Sequence, residues 1–380
     1  MEQIRTVLIG AGYRGNRLRE LMAATGCFRL TAVFDPALPD GAGADGVAGY
    51  SRGEDDYRRM LREQQPELAV IASPWHFHIP QALHCVEAGC HIALEIRGGR
   101  VAGEYDDLLR RAAERGCRIY PLENTVFMRE NMALFEMVRH GLFGEIIALR
   151  GGYRHDIRPL LVDENGRLGN PNMPEGIWRS HFYTTENGDL YPTHGLAPLC
   201  LAAGIGRNDR FVRLTSFASK ARGLQDYIRR HGGDASLRVT QGDVVVTQLE
   251  TEQGVLLTLT HDTTLPRPRS LDFELQGTRG IWRGEFRKIY IDGQSPSETW
   301  EDDAAYIAAY EHPFWRQWGE AALAADRHHQ GMDYVMLRAL AADCRGEAGY
   351  PIRPEDLALW TSVSPLSKQS IATGQPVDWR

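Results

Sequence analysis

The sequence predicts an α/β protein of two domains: an N-terminal domain with a doubly wound parallel sheet, and a C-terminal α+β domain with a large, mostly antiparallel sheet. Residues 6–35 have the pattern strand, glycine turn, helix and second strand. Apolar strands and amphipathic helices then alternate to about residue 125, as in parallel sheets covered by helices. Beyond that residue, strand-like segments separated by short polar turns favour antiparallel pairing. We therefore expect domains at residues 1–125 and 126–380.

The glycine turn follows the first apolar strand and reads GAGYRG at residues 10–15. Gly10 permits the tight turn, Gly12 lets backbone approach a pyrophosphate, and Gly15 lets the helix pack closely on the strand. The phosphates would meet the N-terminus of that helix. Asp35 ends the second strand about 20 residues later, where a carboxylate accepts hydrogen bonds from a ribose diol and repels a 2′-phosphate. An ordinary glycine-rich turn is the alternative, but strands, helix and acid in register favour a Rossmann domain that binds NAD rather than NADP.

The other elements of the first domain follow from apolar runs and helical periodicity. A Gly/Pro/Asp-rich loop covers residues 35–50. The pattern predicts helices at 55–64, 79–88 and 102–115, and strands at 68–72, 91–94 and 118–122. Residues 73–78, SPWHFH, follow the third strand, and ligands of doubly wound sheets bind beyond the carboxyl ends of the strands. We therefore expect this tip to face the cofactor.

The second domain is predicted to contain more strands than helices. Strand character is found at 145–150, 211–218, 243–251, 255–261, 271–276 and 288–291, and a helix is predicted at 131–141. Helical segments at 315–325, 332–344 and 354–363 end the chain, and we expect residues from about 315 to 380 to pack back across both domains. The acidic triplet at 301–303 is interpreted as a solvated turn.

Composition limits the classes of partner. Hydrophobic residues make up 43% of the 380 positions, charged residues 24%, and the net charge is −7, so neither nucleic acid nor an anionic membrane is an expected partner. No apolar run approaches the ~20 residues of a membrane span. The six scattered cysteines lack a CxxC pair, which suits reduced thiols. Since the N-terminus leads directly into the first strand, we expect a cytoplasmic protein; export stays open if a leader has been removed.

The glycine turn, the SPWHFH tip, Glu95 after the fourth strand and the later sheet resemble the Gfo/Idh/MocA superfamily of NAD(P)-dependent sugar oxidoreductases. Those enzymes usually carry Glu-Lys-Pro where this chain has Glu95-Ile96-Arg97. The usual catalytic lysine is therefore missing, which disfavours a plain dehydrogenase.

A narrower resemblance covers nearly the full length. Its segments are LENTVFMRENMA, FGEIIALRGGYRHDIRPLL, IWRSHFY, NGDLYPTHGL, LTSFASKARGL, QGDVVVTQ, THDTTLPRP and GMDY, and they are similar to glycoside hydrolase family 109, the NAD-dependent α-N-acetylgalactosaminidases. The resemblance implies contacts to NAD from Gly10, Gly12, Tyr13, Arg14, Gly15, Asp35, Trp75, His76, His78, Glu95, Ile96 and Asn124. It implies contacts to the sugar from Tyr153, Arg179, Tyr191, Thr193 and His194, with Glu123 beside them.

The family chemistry does not need the two carboxylates of most glycosidases. The resemblance implies a redox-neutral, retaining route, in which NAD oxidises C3 of the sugar and the ketone acidifies the C2 proton. Elimination expels the C1 substituent, water adds at C1, and C3 is reduced again. Tyr191 and His194 are the expected acid/base residues, because side chains three apart can face one ring and histidine exchanges protons near neutrality. A tyrosine serves as base only where a cation, such as Arg179 or the nicotinamide ring, stabilises its phenolate.

Several of these residues have other interpretations. Arg179 is alternatively a structural ion-pair residue, Glu123 a residue that orients backbone, and His78 a core histidine. The adjacent His328 and His329 lack carboxylate or cysteine partners at ligand spacing, so we assign no metal.

One position departs from the family. After THDTTLPRP the family places a sugar-contacting tyrosine, whereas this chain has Arg269. We expect Arg269 to contact the substrate and to favour an acidic neighbour; the alternative is that it faces solvent.

Three functions are compatible with the sequence. The leading one is an NAD-dependent hydrolase that removes a terminal α-linked N-acetylgalactosamine-type sugar from a small glycoside or a glycan. An NAD-dependent oxidoreductase that releases a 3-keto or related oxidised product is disfavoured by the missing lysine. An NAD-binding sugar sensor is disfavoured by Tyr191 and His194, since a sensor needs no acid/base pair. We expect a homo-oligomer, as is common for the sheet domain of this superfamily.

Overall fold

The computed structural model describes residues 2–39, 46–99, 101, 103–234 and 236–379. Residues 40–45 of the predicted Gly/Pro/Asp loop and residue 102, the first of a predicted helix, lie outside the described residues. The chain divides into two compact units. The first comprises Met1–Met128 and Pro313–Ala358, and the second comprises Arg129–His312 and Leu359–Arg380.

The regular elements are numbered here in chain order. The strands are β1 (Ile4–Ile9), β2 (Phe28–Phe34), β3 (Ala48–Tyr50), β4 (Leu68–Ile71), β5 (His91–Leu94), β6 (Ile119–Pro121), β7 (Ile146–Arg154), β8 (Phe211–Ala218), β9 (Val244–Thr251), β10 (Leu256–Asp262), β11 (Glu274–Gly277), β12 (Gly280–Arg283), β13 (Lys288–Ile291), β14 (Glu301–Asp302) and β15 (Val377–Asp378). The helices are α1 (Tyr13–Thr25), α2 (Asp56–Gln64), α3 (His78–Glu87), α4 (Glu104–Arg115), α5 (Arg129–Arg139), α6 (Arg158–Leu161), α7 (Pro174–Thr185), α8 (Thr193–Ala203), α9 (Gly223–Arg230), α10 (Ala304–Ala309), α11 (Pro313–Ala325), α12 (Met332–Cys344) and α13 (Pro354–Thr373).

The first unit is built on a six-stranded parallel sheet with the order β3-β2-β1-β4-β5-β6, which confirms the predicted doubly wound domain. Every residue of β4 is buried, as expected of a central parallel strand covered on both faces. The chain runs outward from β1 to β3 and returns to β4 on the other side. This reversal creates the crevice where ligands of such sheets bind, beyond the carboxyl ends of β1 and β4.

The second unit contains a nine-stranded sheet with the order β14-β13-β12-β11-β7-β10-β9-β8-β15. Its neighbouring strands are antiparallel except for the central pair β7 and β10, which is parallel. The prediction of a large, mostly antiparallel sheet is therefore confirmed. Helix α8 packs directly on β7.

The contact between α8 and β7 is a contact between backbones. A Cβ atom added to Gly195 would lie 2.2 Å from the Gly152 nitrogen, and one added to Gly151 would lie 2.0 Å from the Gly195 oxygen. No real Cβ atom tolerates such distances, so each of the three positions requires glycine. The helix can approach the strand this closely only because both partners lack side chains at the crossing.

The interpretation of residues 301–303 as a solvated turn is wrong for Asp303. Its side chain is fully buried, and it accepts hydrogen bonds from Trp282 Nε1 at 2.8 Å and from Arg287 Nε at 2.7 Å. The buried indole N–H needs an acceptor, and Asp303 supplies one. The two preceding acids, Glu301 and Asp302, form the short strand β14 instead of a turn.

We predict that Gly195→Ala destabilises the protein by about 3 kcal/mol or more, because the added methyl group would force α8 away from β7. Gly349→Ala is the matched control, since a Cβ atom there meets nothing within 4 Å. Urea unfolding of both variants and the wild type measures the difference. Equal midpoints for the two variants would mean that α8 does not depend on this contact.

Candidate active site

The glycine turn connects β1 to α1 and is shaped by two of its glycines. Gly10 has a φ of +95°, and a Cβ atom on it would lie 2.6 Å from the backbone nitrogen of Ser73, which follows β4. A Cβ atom on Gly15 would lie 1.9 Å from the Gly10 oxygen. The fold itself therefore requires these two glycines.

Gly12 differs from both, because a Cβ atom on it would meet nothing within 4 Å. Its backbone is extended, with φ −66° and ψ −171°, so the protein alone gives no reason for glycine at this position. Gly12 is also the N-cap of α1 and provides no side-chain cap. Open space at an uncapped helix N-terminus is what a pyrophosphate requires.

Asp35 lies beside this turn. Its Oδ2 accepts a hydrogen bond from the Ala11 backbone N–H at 2.7 Å, and its Oδ1 accepts one from the Ala37 N–H at 2.9 Å. The carboxylate is thus fixed at the end of β2 and next to the glycine turn. This is the position that a ribose-binding acid needs in a Rossmann domain.

Arg14 does not extend freely toward a ligand, because two carboxylates hold its guanidinium. Its two terminal nitrogens donate to Asp333 at 2.7 and 2.9 Å, and its Nε donates to Glu95 at 2.6 Å. Burial raises the pKa of Glu95 to about 6, although Arg14 acts in the opposite direction. Burial also disfavours the charge of Asp333, but Arg14 and His329 outweigh it and keep its pKa well below the usual range.

Asp333 is a central residue of the first unit that the sequence interpretation missed. It is fully buried and also accepts hydrogen bonds from Asn124 Nδ2 at 3.0 Å and from His329 Nδ1 at 2.5 Å. The signal available was its place in the GMDY segment of the family resemblance. From the sequence alone, an acid in the first turn of a helix is interpreted as an ordinary surface residue, because acids are favourable at helix N-termini.

The tip after β4 forms a short 3₁₀ helix, Trp75–Phe77. The Arg97 guanidinium lies 5.0 Å from the centre of the Trp75 ring, and the His76 ring lies 3.9 Å from that of Phe77. His78 is buried, and its Nε2 donates to the Ser73 carbonyl at 2.7 Å. Burial lowers the pKa of His78 to about 4, so the ring is neutral at pH 7 and has the contacts of a core histidine.

The residues after β5 and β6 are also buried. Ile96 is 4% exposed, and its N–H donates to the Glu95 carboxylate at 3.3 Å. Glu123 is fully buried and caps the 3₁₀ helix Asn124–Phe127 by accepting from the Thr125 N–H at 3.2 Å and hydroxyl at 2.7 Å. These contacts match the alternative in which Glu123 orients backbone.

Asn124 has its amide donor fixed by Asp333, while its buried Oδ1 has no hydrogen-bond partner in the part of the chain that the structure describes. A buried acceptor without a partner is costly unless a ligand satisfies it. Together with the open space at Gly12 and the position of Asp35, this orphaned oxygen shows that the residues fit a dinucleotide.

A second cluster lies in the second unit and is aromatic. The ring centre of Tyr153, on β7, lies 4.7 Å from that of Tyr191 and 5.7 Å from that of His194. Tyr191 and His194 are themselves 4.8 Å apart in a T-shaped arrangement. Tyr191 and His194 are the expected acid/base pair, and the structure brings both rings together with Tyr153.

Arg179, on α7, borders this cluster. Its guanidinium lies 5.3 Å from the Tyr191 ring centre and pairs with Glu175 at 2.6 Å. Burial opposes its charge, but Glu175 and the neighbouring tyrosines raise the pKa above the usual value for arginine. A permanent cation beside Tyr191 is what stabilisation of a phenolate requires.

The loop that carries Tyr191 is held by buried polar residues. Asp189 is 2% exposed and accepts from the Tyr191 N–H at 3.2 Å, while its own N–H donates to Ser367 at 3.0 Å. Gly188 exchanges two hydrogen bonds with the side chain of buried Gln241, at 2.9 and 3.0 Å. These bonds fix the backbone that enters α8, and none of the three polar side chains was singled out from the sequence.

His155 and Arg269 complete the surroundings of Tyr153. His155 Nδ1 lies 3.3 Å from the Tyr153 hydroxyl. Burial, and next the charges of Arg269 and Arg179, lower the pKa of His155. Arg269 is exposed, yet its influence on His155 indicates that its charge lies near the cluster. Thr193 is fully buried, and its hydroxyl has no hydrogen-bond partner among the described residues.

The adjacent histidines have protein partners. His328 Nε2 lies 3.2 Å from the Tyr13 hydroxyl, and His329 pairs with Asp333. Among the described residues there is no group of three or more side chains that could hold a metal ion. Within the same residues, every helix is too short or too polar to cross a membrane.

The glycine turn, Asp35 and Asn124 define a dinucleotide-binding domain. The second domain is a sheet domain with an aromatic, cationic site. Residues 4–121 match the NAD-binding Rossmann fold of an oxidoreductase family, and residues 127–379 match the C-terminal domain of glycosyl hydrolase 109. The chain belongs to glycoside hydrolase family 109. It is thus an enzyme of the glycosidase class with an NAD-binding domain.

Two relatives illustrate the similarity. A glycosyl hydrolase family 109 protein of Stenotrophomonas maltophilia is 34% identical, over 97% of this chain and 87% of its own. An alpha-N-acetylgalactosaminidase of Tannerella forsythia is 35% identical, over 86% of this chain and 73% of its own. Among solved structures, an inositol dehydrogenase homolog of Azotobacter vinelandii in complex with NAD+ has a TM-score of 0.70 at 18% identity, covering 100% of this chain and 98% of its own. That similarity supports the fold alone.

We predict that Gly12→Ala and Gly15→Ala affect different properties, NAD binding in the first variant and stability in the second. Gly12→Ala should leave the unfolding midpoint of the NAD-free protein unchanged but weaken NAD binding about tenfold or more, because the methyl group enters space that only a ligand would fill. Gly15→Ala should lower stability by about 3 kcal/mol, because its methyl group meets the Gly10 carbonyl. Urea unfolding and nucleotide content after denaturation measure the two effects. Unchanged NAD binding by Gly12→Ala would contradict a pyrophosphate at this turn.

Proposed function

We propose that this enzyme removes a terminal α-linked N-acetylgalactosamine-type sugar and uses NAD in a cycle without net redox change. The observation that carries the proposal is the cluster of Tyr153, Tyr191, His194 and Arg179 in a chain that also has a complete dinucleotide turn. The second domain offers proton-transfer residues in place of the paired carboxylates of most glycosidases. The alpha-N-acetylgalactosaminidase of Tannerella forsythia supports the choice of sugar.

NAD would be held by the turn at Gly10, Gly12 and Gly15, by Asp35 at the adenosine ribose, and by the buried acceptor of Asn124. When bound, NAD supplies a reversible oxidation of the sugar at C3. A cofactor that is restored in every turnover has no need to leave, so we expect NAD to co-purify with the protein.

Tyr191 and His194 would move the protons. Oxidation of C3 requires removal of the proton from its hydroxyl, and elimination requires removal of the proton from C2 as the C1–oxygen bond breaks. Water then adds at C1, the proton returns to C2, and C3 is reduced with return of the hydroxyl proton. A histidine suits one of these transfers, and Arg179 stabilises the phenolate that Tyr191 would form in the other.

The experiment is an assay without added NAD on a chromogenic α-N-acetylgalactosaminide in heavy water. We expect release of the chromophore without net NADH, and deuterium at C2 of the released sugar, because only the elimination route breaks that C–H bond. Net NADH would instead indicate an oxidoreductase. A product that keeps hydrogen at C2 would rule out the proposed route. NAD binding without any turnover would instead indicate an NAD-binding sugar sensor.

We predict that Tyr191→Phe and His194→Ala each lower kcat by about 10² to 10⁴, while the NAD content stays at the wild-type level. Tyr290→Phe and His140→Ala are matched controls outside the cluster, and they should retain full activity. Rates within a factor of a few of wild type for both cluster variants would move the acid/base groups elsewhere.

We predict that Arg269→Tyr lowers the preference for acidic or sulfated glycosides over neutral ones by up to about fivefold, because an exposed ion pair contributes at most about 1 kcal/mol. The physical reason is that arginine offers a permanent charge, whereas tyrosine offers one hydroxyl and an aromatic face. Ratios of kcat/KM for matched substrates measure it, and Arg150→Tyr, at an exposed position of β7, is the control. An unchanged ratio would mean that Arg269 faces solvent and has no part in specificity.

A further inference from the structure

Residues 326–333, which join α11 to α12 and include the first two residues of α12, contact the glycine turn at two places within the first unit. Asp333, at the start of α12, holds the Arg14 guanidinium through two hydrogen bonds of 2.7 and 2.9 Å. Five residues earlier in the chain, His328 Nε2 lies 3.2 Å from the hydroxyl of Tyr13. Tyr13 and Arg14 are the first two residues of α1, directly after Gly12. The segment therefore contacts the helix end that would receive the pyrophosphate.

The segment is itself rigidly built. Gly331 has a φ of +87°, and a Cβ atom on it would lie 3.0 Å from both Ala322 and Trp315. The buried carboxylate of Asp326 accepts from the backbone N–H groups of Asp333 at 3.2 Å and His329 at 3.3 Å. Arg17, on α1, donates to the same carboxylate at 2.9 Å. The segment is thus bound to α1 through a second buried acid.

The contacts to Asp333 do not use every polar group of its partners. A guanidinium has five N–H donors, and Asp333 and Glu95 occupy three of those of Arg14. Asn124 gives its amide N–H to Asp333, and its Oδ1 is the buried acceptor described above. One carboxylate therefore sets the orientation of two side chains that follow different strands of the sheet, Arg14 after β1 and Asn124 after β6.

We propose that residues 326–333 are a latch that slows the release of NAD, with Asp333 as a positioning residue that acts through Arg14 and Asn124. The inference rests on the proposed use of NAD and adds the reason for its retention. In this proposal a dinucleotide leaves when the start of α1 loosens, and this separates Arg14 from the buried carboxylate of Asp333. Breaking such a pair is costly because an uncompensated charge stays behind in the interior.

The test is the rate at which bound NAD exchanges for a fluorescent etheno-adenine analogue of NAD, measured on the holoenzyme. We expect Asp333→Asn to exchange about tenfold faster than wild type or more. Asp303→Asn is the matched control, because it removes a buried, hydrogen-bonded carboxylate from the second unit and should exchange at the wild-type rate. Since Asp333 acts through Arg14, the double variant with Arg14→Gln should exchange no faster than the faster of the two single variants.

His328→Ala provides a second, exposed site that does not endanger folding, and we expect exchange a few-fold faster than wild type. Exchange by Asp333→Asn within twofold of Asp303→Asn would overturn the inference. If Asp333→Asn does not fold, an unchanged rate in His328→Ala overturns it instead. A wild-type protein that neither contains NAD nor takes up the analogue would refute the proposed function, which is a different result from a latch variant with unaltered exchange.

Discussion

The substrate cluster depends on one steric constraint, the contact of backbone with backbone between α8 and β7. Gly151 and Gly195 have no space for a Cβ atom, because the helix and the strand already touch, and a Cβ atom on Gly152 would lie 2.3 Å from the Thr260 oxygen on β10. This contact sets the spacing between Tyr153, on the strand, and His194, next to Gly195 on the helix. A helix packed at an ordinary distance would lie several ångströms farther from the sheet, and the rings would lose their 5.7 Å separation. The glycines at this contact therefore determine where the neighbouring side chains Tyr153 and His194 lie.

In the first unit a side chain is held in place by an ion pair instead of by a close backbone contact. A buried ion pair is weak support for stability, since removal of two charges from water costs about as much as their attraction returns. The ion pair instead fixes orientation, because a bidentate guanidinium–carboxylate pair allows one geometry where an apolar contact allows many. The Arg14–Asp333 pair thus fixes a flexible side chain at the entrance of the glycine turn. Glu95 joins the same guanidinium, so the ends of β1 and β5 are bound to one group.

Local patterns in the sequence predicted what local physics determines. The sheet class, the glycine turn and the bounds of β8, β13 and α12 follow from apolar runs and turn residues, and the structure has them as predicted. Helix α8 was not predicted, because Gly195 and Pro198 suppress helix propensity and the helix is stabilised by packing on β7 and α5. The role of Asp333 was equally inaccessible, since Arg14 lies 319 residues away in the chain. Asp303 was misjudged for the same reason, as its indole donor is on another strand.

The two arginines near Tyr153, Arg179 and Arg269, differ in burial and in whether an acid offsets their charge. Arg179 is buried and pairs with Glu175, which offsets part of its charge. Arg269 is exposed, and its charge contributes more than that of Arg179 to lowering the pKa of His155. Burial, and next these two charges, lower the pKa of His155 and favour its neutral form, which can accept a hydrogen bond from the Tyr153 hydroxyl. An anionic substituent near Arg269 would cancel part of this field and favour the charged form of His155. If the substrate carries an anionic group at Arg269, as proposed, the protonation of His155 would depend on the charge of the substrate, and Tyr153 would connect this change to Tyr191 and His194.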